Sequence, residues 1–132
     1  MAIAFEIGTD IVSVRRMQEA ISRQGKRFLD RIFTKDEQAY CETKRNKFEN
    51  YAARFAAKEA FIKANGGGRG RFNFHDIEVK RGLKGKPYLF FSPAARRVFS
   101  ISSKAEFLLT MAHEREFAVA TVVMKPYPSA TS

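Results

Sequence analysis

The stretch RFAAKEAFIKANGGG, residues 54–68, combines a strong helical pattern with an abrupt end. A helix of 3.6 residues per turn places Phe55 and Ile62 on one face, with alanines beside them. The same periodicity places Glu59 in the middle of this apolar face. Because an unpaired carboxylate in apolar surroundings is costly, the pattern predicts that an arginine, a lysine or a metal ion lies close to Glu59.

The glycine run at the end of this stretch predicts the end of the helix at Gly66, since glycine commonly terminates helices. A glycine-rich loop can also bring backbone N–H groups close to a phosphate. This run matches neither of the common nucleotide-binding fingerprints, and by itself such a run is more often a flexible turn. Lys63 lies in the last helical turn, where a lysine suits both the helix dipole and a bound phosphate.

The residues before this stretch predict one strand followed by helices. Alternation over residues 3–11 predicts a strand that ends near Asp10, with Phe5 and the isoleucines on one face. Ser13 is the predicted N-cap of a first helix, which Gly25 ends.

A capping box at Thr34 and Glu37 opens a second helix, predicted to run into the basic cluster at residues 44–47. The stretch around Glu59 then forms the third helix of the chain.

After the glycine loop the pattern becomes strand-like. Residues 76–91 predict two strands joined by a turn at 82–85, and residues 105–124 predict a closing hairpin that turns near 114–116. Ser92 followed by a proline predicts a short helix between these two units, ending near Phe99.

Helices mainly in the first half and an antiparallel sheet mainly in the second half indicate an α+β fold. A length of 132 residues predicts a single domain, which we place at residues 1–125. The tail KPYPSATS predicts a disordered segment at 126–132.

The composition narrows the class of protein. Hydrophobic residues make up 45% of the chain, yet no long apolar run predicts a membrane span and no basic N-terminal region predicts a signal peptide. A single cysteine, Cys41, excludes an intramolecular disulfide and fits a reducing environment. We therefore expect a cytoplasmic protein with no membrane partner.

The formal net charge of +10 favours an anionic partner, although it can also serve solubility alone. Nucleic acid, an anionic coenzyme and an acidic protein all qualify. Phe72 and Phe74, with Arg69, Arg71 and Lys80 around them, are the features that would suit a small RNA- or DNA-binding module. No nucleic-acid-binding motif accompanies them, so we expect no nucleic-acid partner.

Asp10 and Glu59 are the carboxylates that the pattern singles out. Each has an ordinary alternative: Asp10 as a helix cap or turn residue, and Glu59 in a buried ion pair with one of the 24 lysines and arginines. Together, two carboxylates can hold Mg²⁺, with water and substrate phosphates completing its coordination. His113, on a predicted strand, is by itself better explained as a structural histidine, and His75 as a loop residue.

Five blocks of the sequence resemble holo-acyl-carrier-protein synthases, in the order and at the spacing of that family. They are IGTDIVSVRRM (7–17), RFAAKEAFIKANGGG (54–68), DIEV (76–79), GKPYL (85–89) and AHEREFAVATVVM (112–124). The resemblance implies transfer of the 4′-phosphopantetheine arm of coenzyme A to a serine of apo acyl carrier protein, with release of adenosine 3′,5′-bisphosphate. It also implies a need for Mg²⁺ and a homotrimer with its sites between subunits.

The resemblance assigns roles residue by residue. Asp10 and Glu59 match the metal-binding carboxylates, and Glu59 and Lys63 the catalytic residues. Because all three are present, a relative that only binds coenzyme A is disfavoured. The residues matching coenzyme A contacts are Arg54, Lys63, Gly66, Gly67, Gly68, Pro87 and His113, and those matching the docking surface for the carrier protein are Arg15, Arg16 and Arg27.

Two positions depart from the family pattern. The family often has Ser-x-Ser-His or Ser-x-Thr-His before the closing strand, whereas residues 110–113 here read TMAH. Ala112 has no hydroxyl, so one polar contact to coenzyme A is expected to be missing. Asn65 and the triple glycine also replace the commoner Phe-Gly-Thr-Gly.

Overall fold

The computed structural model describes residues 5–67 and 72–125, and the expectations for Gly68, for the arginines at 69 and 71 and for the tail at 126–132 lie outside this part. The fold is α+β, as predicted. Its strands are β1 (Glu6–Ser13), β2 (Ile77–Arg81), β3 (Pro87–Phe91), β4 (Glu106–His113) and β5 (Phe117–Lys125). Its helices are α1 (Val14–Gln24), α2 (Lys26–Ile32), α3 (Lys35–Glu42), α4 (Lys47–Ala64) and α5 (Pro93–Val98).

All strand pairs are antiparallel and form two sheets. A three-stranded sheet has the order β1-β5-β4, and β2 pairs with β3 in a second sheet. Helix α4 packs across the three-stranded sheet, mainly on β1 and β5. Its alanines allow this close approach, and at Gly8 of β1 an added Cβ atom would overlap the backbone of Ala60.

Local signals explain most helix ends. Ser13 caps α1 by accepting a hydrogen bond from the backbone N–H of Arg16 at 3.2 Å. The predicted capping box opens α3: the hydroxyl of Thr34 accepts from the N–H of Glu37, whose carboxylate accepts from the N–H of Thr34. Gly25 ends α1 with φ of +63°, a conformation that favours glycine.

Two helix boundaries differ from the prediction. Helix α3 ends at Glu42 and does not run into the basic cluster, because Thr43 and Lys44 bond back to the carbonyls of Tyr40 and Cys41 in a turn. An additional helix, α2, forms between Gly25 and α3, so the long helix α4 is the fourth helix rather than the third. It ends at Ala64, two residues before the predicted end.

The alternation predicted for β1 is present, but its apolar face points away from α4. Ile7, Ile11 and Leu108 of β4 are 68%, 65% and 63% exposed, and the register of the strands places them on one face with Val119. We call this surface, with Phe117 at its edge, the outer sheet face. Exposed apolar surfaces of this kind are typical of contact sites between molecules.

A buried ion pair holds the helical half together. Nζ of Lys58 donates to Oε1 of Glu37 at 2.8 Å, and neither side chain is exposed. The same Nζ also donates to the carbonyls of Ile32 and Phe74, while Oε2 of Glu37 accepts from the N–H of Val79. Because every polar group of the pair is bonded, the burial of two charges is tolerated.

Candidate active site

Asp10 and Lys63 meet at the C-terminal end of α4. Nζ of Lys63 donates to Oδ1 of Asp10 at 2.9 Å and to the carbonyl of Thr9 at 3.1 Å. Asp10 lies inside β1 rather than at a helix cap, which removes its ordinary alternative as a capping residue. The close packing of Gly8 on Ala60 sets the separation of the two elements at this point.

Glu59 lies one turn before Lys63 and is half-buried, as are Phe55 and Ile62 of the same helical face. The fully buried charges of α4 are Arg54 and Lys58. Helix α4 is buried on nearly all sides, and its most open side is the one that carries Glu59. The ordinary alternative of a buried ion pair fails as well, since no cation in the described residues lies at ion-pair distance from its carboxylate.

Partial burial and the charge of Asp10 raise the pKa of Glu59, while Lys63 opposes this shift. Two carboxylates that repel one another beside one cavity favour a bound cation. Within residues 5–67 and 72–125, however, no group of three or more His, Cys, Asp or Glu side chains could hold a metal ion by itself.

Asp10 and Glu59 line a cavity of about 760 Å³ between β1, α1 and α4. Its other walls are largely apolar and include Met17, Phe28 and Phe55, while Arg16 adds a positive charge. A cavity with apolar walls and few charged groups at one place is typical of a site for a small molecule.

The glycine loop continues directly from this site. Asn65 caps α4 through its backbone N–H, and the N–H of Gly67 bonds to the carbonyl of Ile62 at 2.7 Å. Gly66 and Gly67 have φ values of +86° and +96°, which other residues adopt only with strain. Both glycines follow Lys63 within four residues, and their contact with coenzyme A stays a prediction.

His113 lies at the opposite end of α4. It is the last residue of β4, and its Nδ1 is 2.9 Å from Oε1 of Glu49, in the first turn of α4. With 18 residues, α4 is about 27 Å long. One subunit therefore does not bring His113 to Lys63.

Arg54 and Pro87 also lie away from Asp10 and Glu59. Arg54 is 2% exposed and its guanidinium stacks on the ring of Tyr40, 4.3 Å from the centroid. It lines a second cavity, of about 270 Å³, and its buried Nε has no hydrogen-bond partner in the described part of the chain. Pro87 is the first residue of β3 and is half-buried, next in sequence to Tyr88 of that cavity.

The basic residues predicted to dock a carrier protein are all exposed. Arg15 and Arg16 lie in the first turn of α1, and Arg27 lies in the first turn of α2. Arg15 makes only a loose pair with Glu19, at 3.8 Å. Since Arg16 also lines the cavity, the basic surface and the carboxylates are adjacent.

Sequence reasoning missed Glu49 and Lys58. Lys58 falls next to Glu59 in the helix, and only its partners on α2, α3 and the 3-10 helix at Phe74–Asp76 show why it is buried. The signal for Glu49 was its position three residues after Asn46, where a capping-box glutamate is expected.

The fold and the site define a class of protein: an α+β protein with two carboxylates and a lysine grouped beside a cavity. Comparison with known proteins makes this specific. The family model of the 4′-phosphopantetheinyl transferase superfamily matches residues 6–122. The chain belongs to this superfamily.

Named relatives are similar to this chain over most of its length. Holo-[acyl-carrier-protein] synthase of Halothermothrix orenii is 45% identical over 117 residues, which cover 89% of this chain and 94% of the relative. Among solved structures, the Bacillus anthracis synthase in complex with CoA (3′,5′-ADP) has a TM-score of 0.74 at 34% identity, covering 92% and 96% of the two chains. The Helicobacter pylori synthase in complex with coenzyme A has a TM-score of 0.76 at 32% identity, covering 89% and 98%.

Proposed function

We propose that this chain transfers the 4′-phosphopantetheine group of coenzyme A to a serine of apo acyl carrier protein, in fatty acid biosynthesis. The products are holo acyl carrier protein and adenosine 3′,5′-bisphosphate. The observation that carries the proposal is the pair of carboxylates, Asp10 and Glu59, at one cavity, with Lys63 bonded to Asp10, in a member of the superfamily whose relatives are synthases of this kind.

Mg²⁺ is the metal that fits the residues at this site. It binds through one or two carboxylates and completes an octahedron with water and substrate phosphates, so Asp10 and Glu59 suffice as its protein ligands. The raised pKa of Glu59 supports the fit, because a divalent cation beside both carboxylates would offset the repulsion from Asp10. When bound, Mg²⁺ would polarise the diphosphate of coenzyme A.

Lys63 and Glu59 supply the protein's own part of the chemistry. The hydrogen bond to Asp10 raises the pKa of Lys63, which keeps its ammonium charged for contact with the diphosphate. The serine oxygen attacks the β-phosphorus in line, and the bond from that phosphorus to the oxygen bridging to the nucleotide breaks. We propose that Glu59 removes the serine proton, directly or through a water, since its carboxylate lines the cavity that the serine must enter.

A complete site requires a second copy of the chain. The 3′-phosphate and the diphosphate of coenzyme A belong to one nucleotide and therefore lie close together. His113 and Lys63 of one subunit lie at opposite ends of α4, so a single coenzyme A cannot contact both of them with these groups. We propose a homotrimer in which His113, Arg54 and Pro87 of one subunit complete the site formed by Asp10 of the next. The outer sheet face supplies an apolar surface for this assembly.

The acidic carrier protein is proposed to dock on Arg15, Arg16 and Arg27. These residues are exposed, and Arg16 reaches the rim of the cavity where the serine must enter. Complementary charge steers association without deep burial.

A cytoplasmic location is also part of the proposal. The one cysteine, Cys41, is buried, and burial raises the pKa of its thiol to about 12, so it is unreactive. No helix in the described ranges is long and apolar enough to cross a membrane.

The structure does not favour the nucleic-acid alternative. Phe72 packs against Phe99 and Phe74, with ring centroids 5.0 Å and 5.3 Å apart, and Phe74 also packs against Phe55. Both rings are half-buried and packed on other rings, which leaves less of their faces for stacking with bases.

Substitution of the carboxylates tests the proposed site. In an assay with apo carrier protein, coenzyme A and Mg²⁺, Asp10→Ala and Glu59→Ala should abolish release of adenosine 3′,5′-bisphosphate. Circular dichroism should show that both variants remain folded, since both side chains are partly exposed. Near-normal turnover by either folded variant would contradict the site.

A further inference from the structure

Glu49 and His113 form a pair at the N-terminal end of α4. Oε1 of Glu49 lies 2.9 Å from Nδ1 of His113, and the two side chains are 22% and 30% exposed. The amide of Asn46 also donates to this oxygen, at 3.4 Å, which fixes the carboxylate from a second side. Nε2 of His113 has no hydrogen-bond partner among the residues that the structure describes.

A comparison within the chain shows that this contact is more than helix capping. Glu37 and Glu49 occupy the same position, three residues after the N-cap of α3 and of α4. Glu37 turns back and accepts from the N–H of its N-cap, Thr34, at 2.9 Å. Glu49 instead makes its short contact with His113, on a strand 64 residues away in the sequence.

The pair determines which nitrogen of the imidazole faces outward. An ionised carboxylate can only accept a hydrogen bond, so the Glu49 contact requires the proton on Nδ1. Nε2 is then directed away from the pair, and it becomes a donor to an anion when the ring takes a second proton. The negative charge of Glu49 offsets the positive charge of that doubly protonated ring, as second-shell carboxylates do for other histidines.

We propose that Glu49 is the positioning residue for His113: it fixes the imidazole so that Nε2 faces the 3′-phosphate of coenzyme A. This inference rests on the proposed function, in which His113 contacts that phosphate. It adds a specificity element, because Glu49 then contributes to the preference for coenzyme A over 3′-dephospho-coenzyme A without touching either ligand.

Kinetics with the two ligands test the role of Glu49. Glu49→Ala should raise the KM for coenzyme A about three- to tenfold, the effect of one lost hydrogen bond, and leave kcat unchanged. The KM for 3′-dephospho-coenzyme A should not change. Glu49→Gln, whose amide oxygen can still accept from Nδ1, should recover part of the loss, and Glu106→Ala, at the other end of β4, should behave as wild type.

The variant His113→Ala tests the contact of His113 with the 3′-phosphate separately from the role of Glu49. It should raise the KM for coenzyme A about 10- to 100-fold, since a charge-assisted bond is lost, and the double variant Glu49→Ala/His113→Ala should be no worse. If His113→Ala affects both ligands equally, the assignment of His113 to the 3′-phosphate is overturned. If His113→Ala is selective but Glu49→Ala is not, only the role of Glu49 is overturned.

A spectroscopic readout distinguishes positioning from helix stabilisation, because Glu49 also suits the positive end of the dipole of α4. The ¹⁵N shifts of the neutral His113 ring should show the proton on Nδ1 in the wild type and in Glu49→Gln. In Glu49→Ala they should shift toward the Nε2–H tautomer. An unchanged tautomer in Glu49→Ala would overturn the proposal, whatever the melting temperatures of the variants.

Discussion

At the scale of single residues, Glu59 is held where its charge is unfavourable without a cation. Its pKa is raised by burial and by Asp10, so the folded state holds the proton more tightly than the unfolded chain does. Its contribution to stability is therefore present at low pH and is lost as pH rises through its folded pKa. Placing a functional carboxylate at the cost of stability is common in active sites.

This sign gives a testable pH dependence. In the absence of divalent cations, Glu59→Gln should be more stable than wild type at neutral pH, because glutamine never ionises. The difference in free energy of unfolding should shrink as pH falls through the folded pKa of Glu59 and should vanish below the ordinary glutamate value of 4.5. Urea unfolding across pH, at one protein concentration, measures it.

Mg²⁺ provides the control, since a ligand that binds only the folded state stabilises it. It should raise the stability of the wild type but not that of Glu59→Gln. A wild type that gains stability over the variant as pH rises without metal would contradict this account of Glu59.

The sequence pattern identified Asp10, Glu59 and Lys63 as candidate site residues, but it did not predict the contacts between them. Thr34 and Glu37 were readable as a capping box because the bonds are local. Asp10 and Lys63 are 53 residues apart, and their contact depends on how β1 packs against α4. Glu49 and His113 were likewise invisible as a pair, since long-range packing rather than periodicity brings them together.

At the scale of elements, the distance between β1 and α4 determines the site. Gly8→Ala should separate them, because the new Cβ atom would overlap the carbonyl oxygen of Ala60 and lie 2.6 Å from the backbone nitrogen of Ala64. Backbone atoms cannot rotate away, so β1 must move and carry Asp10 with it. We expect lower stability and a fall in kcat.

Gly82→Ala is the matched control for this substitution. Its φ of −92° is open to alanine, and the nearest atom to the added Cβ would be on the side chain of Tyr88, at an ordinary contact distance of 3.5 Å. Thermal melting and turnover of both variants measure the effect. Equal behaviour of the two variants would show that the approach of β1 to α4 does not govern the site.

The order and type of most elements could be predicted, because capping boxes, glycines and alternation act locally. Helix α2 was missed, since Gly25 is both its N-cap and the C-cap of α1, and no side-chain cap marks its start. Which face of β1 packs against α4 could not be predicted from the sequence either. Alternation shows that one face is apolar, but not whether a helix or another subunit covers it.

At the scale of the whole molecule, the outer sheet face should hold subunits together. Leu108→Lys places a charge in this apolar surface and should convert the proposed trimer to smaller species, as measured by light scattering with size-exclusion chromatography. Leu83→Lys is the control, because Leu83 is 93% exposed in the turn between β2 and β3. A monomeric wild type, or loss of the oligomer in both variants, would contradict the proposed assembly.

The positive charge of the molecule should act mainly on the carrier protein. Arg16→Glu should raise the KM for the carrier with little change in that for coenzyme A, since Arg16 lies on the exposed surface of α1. Wild-type association should weaken with salt, because screening acts beyond about 8 Å at physiological ionic strength. Arg97→Glu, an equal charge change on α5, is the control, and an effect of Arg16→Glu confined to coenzyme A would show that α1 is not the docking surface.

The central claim is that this chain transfers phosphopantetheine to a carrier protein. The intact mass of an apo acyl carrier protein, measured after incubation with the chain, coenzyme A and Mg²⁺, tests it most directly. The account predicts a gain equal to one phosphopantetheine group, on the carrier serine, and no gain with Asp10→Ala. A carrier whose mass is unchanged with the folded wild-type chain, across carriers from several bacteria, would contradict the account.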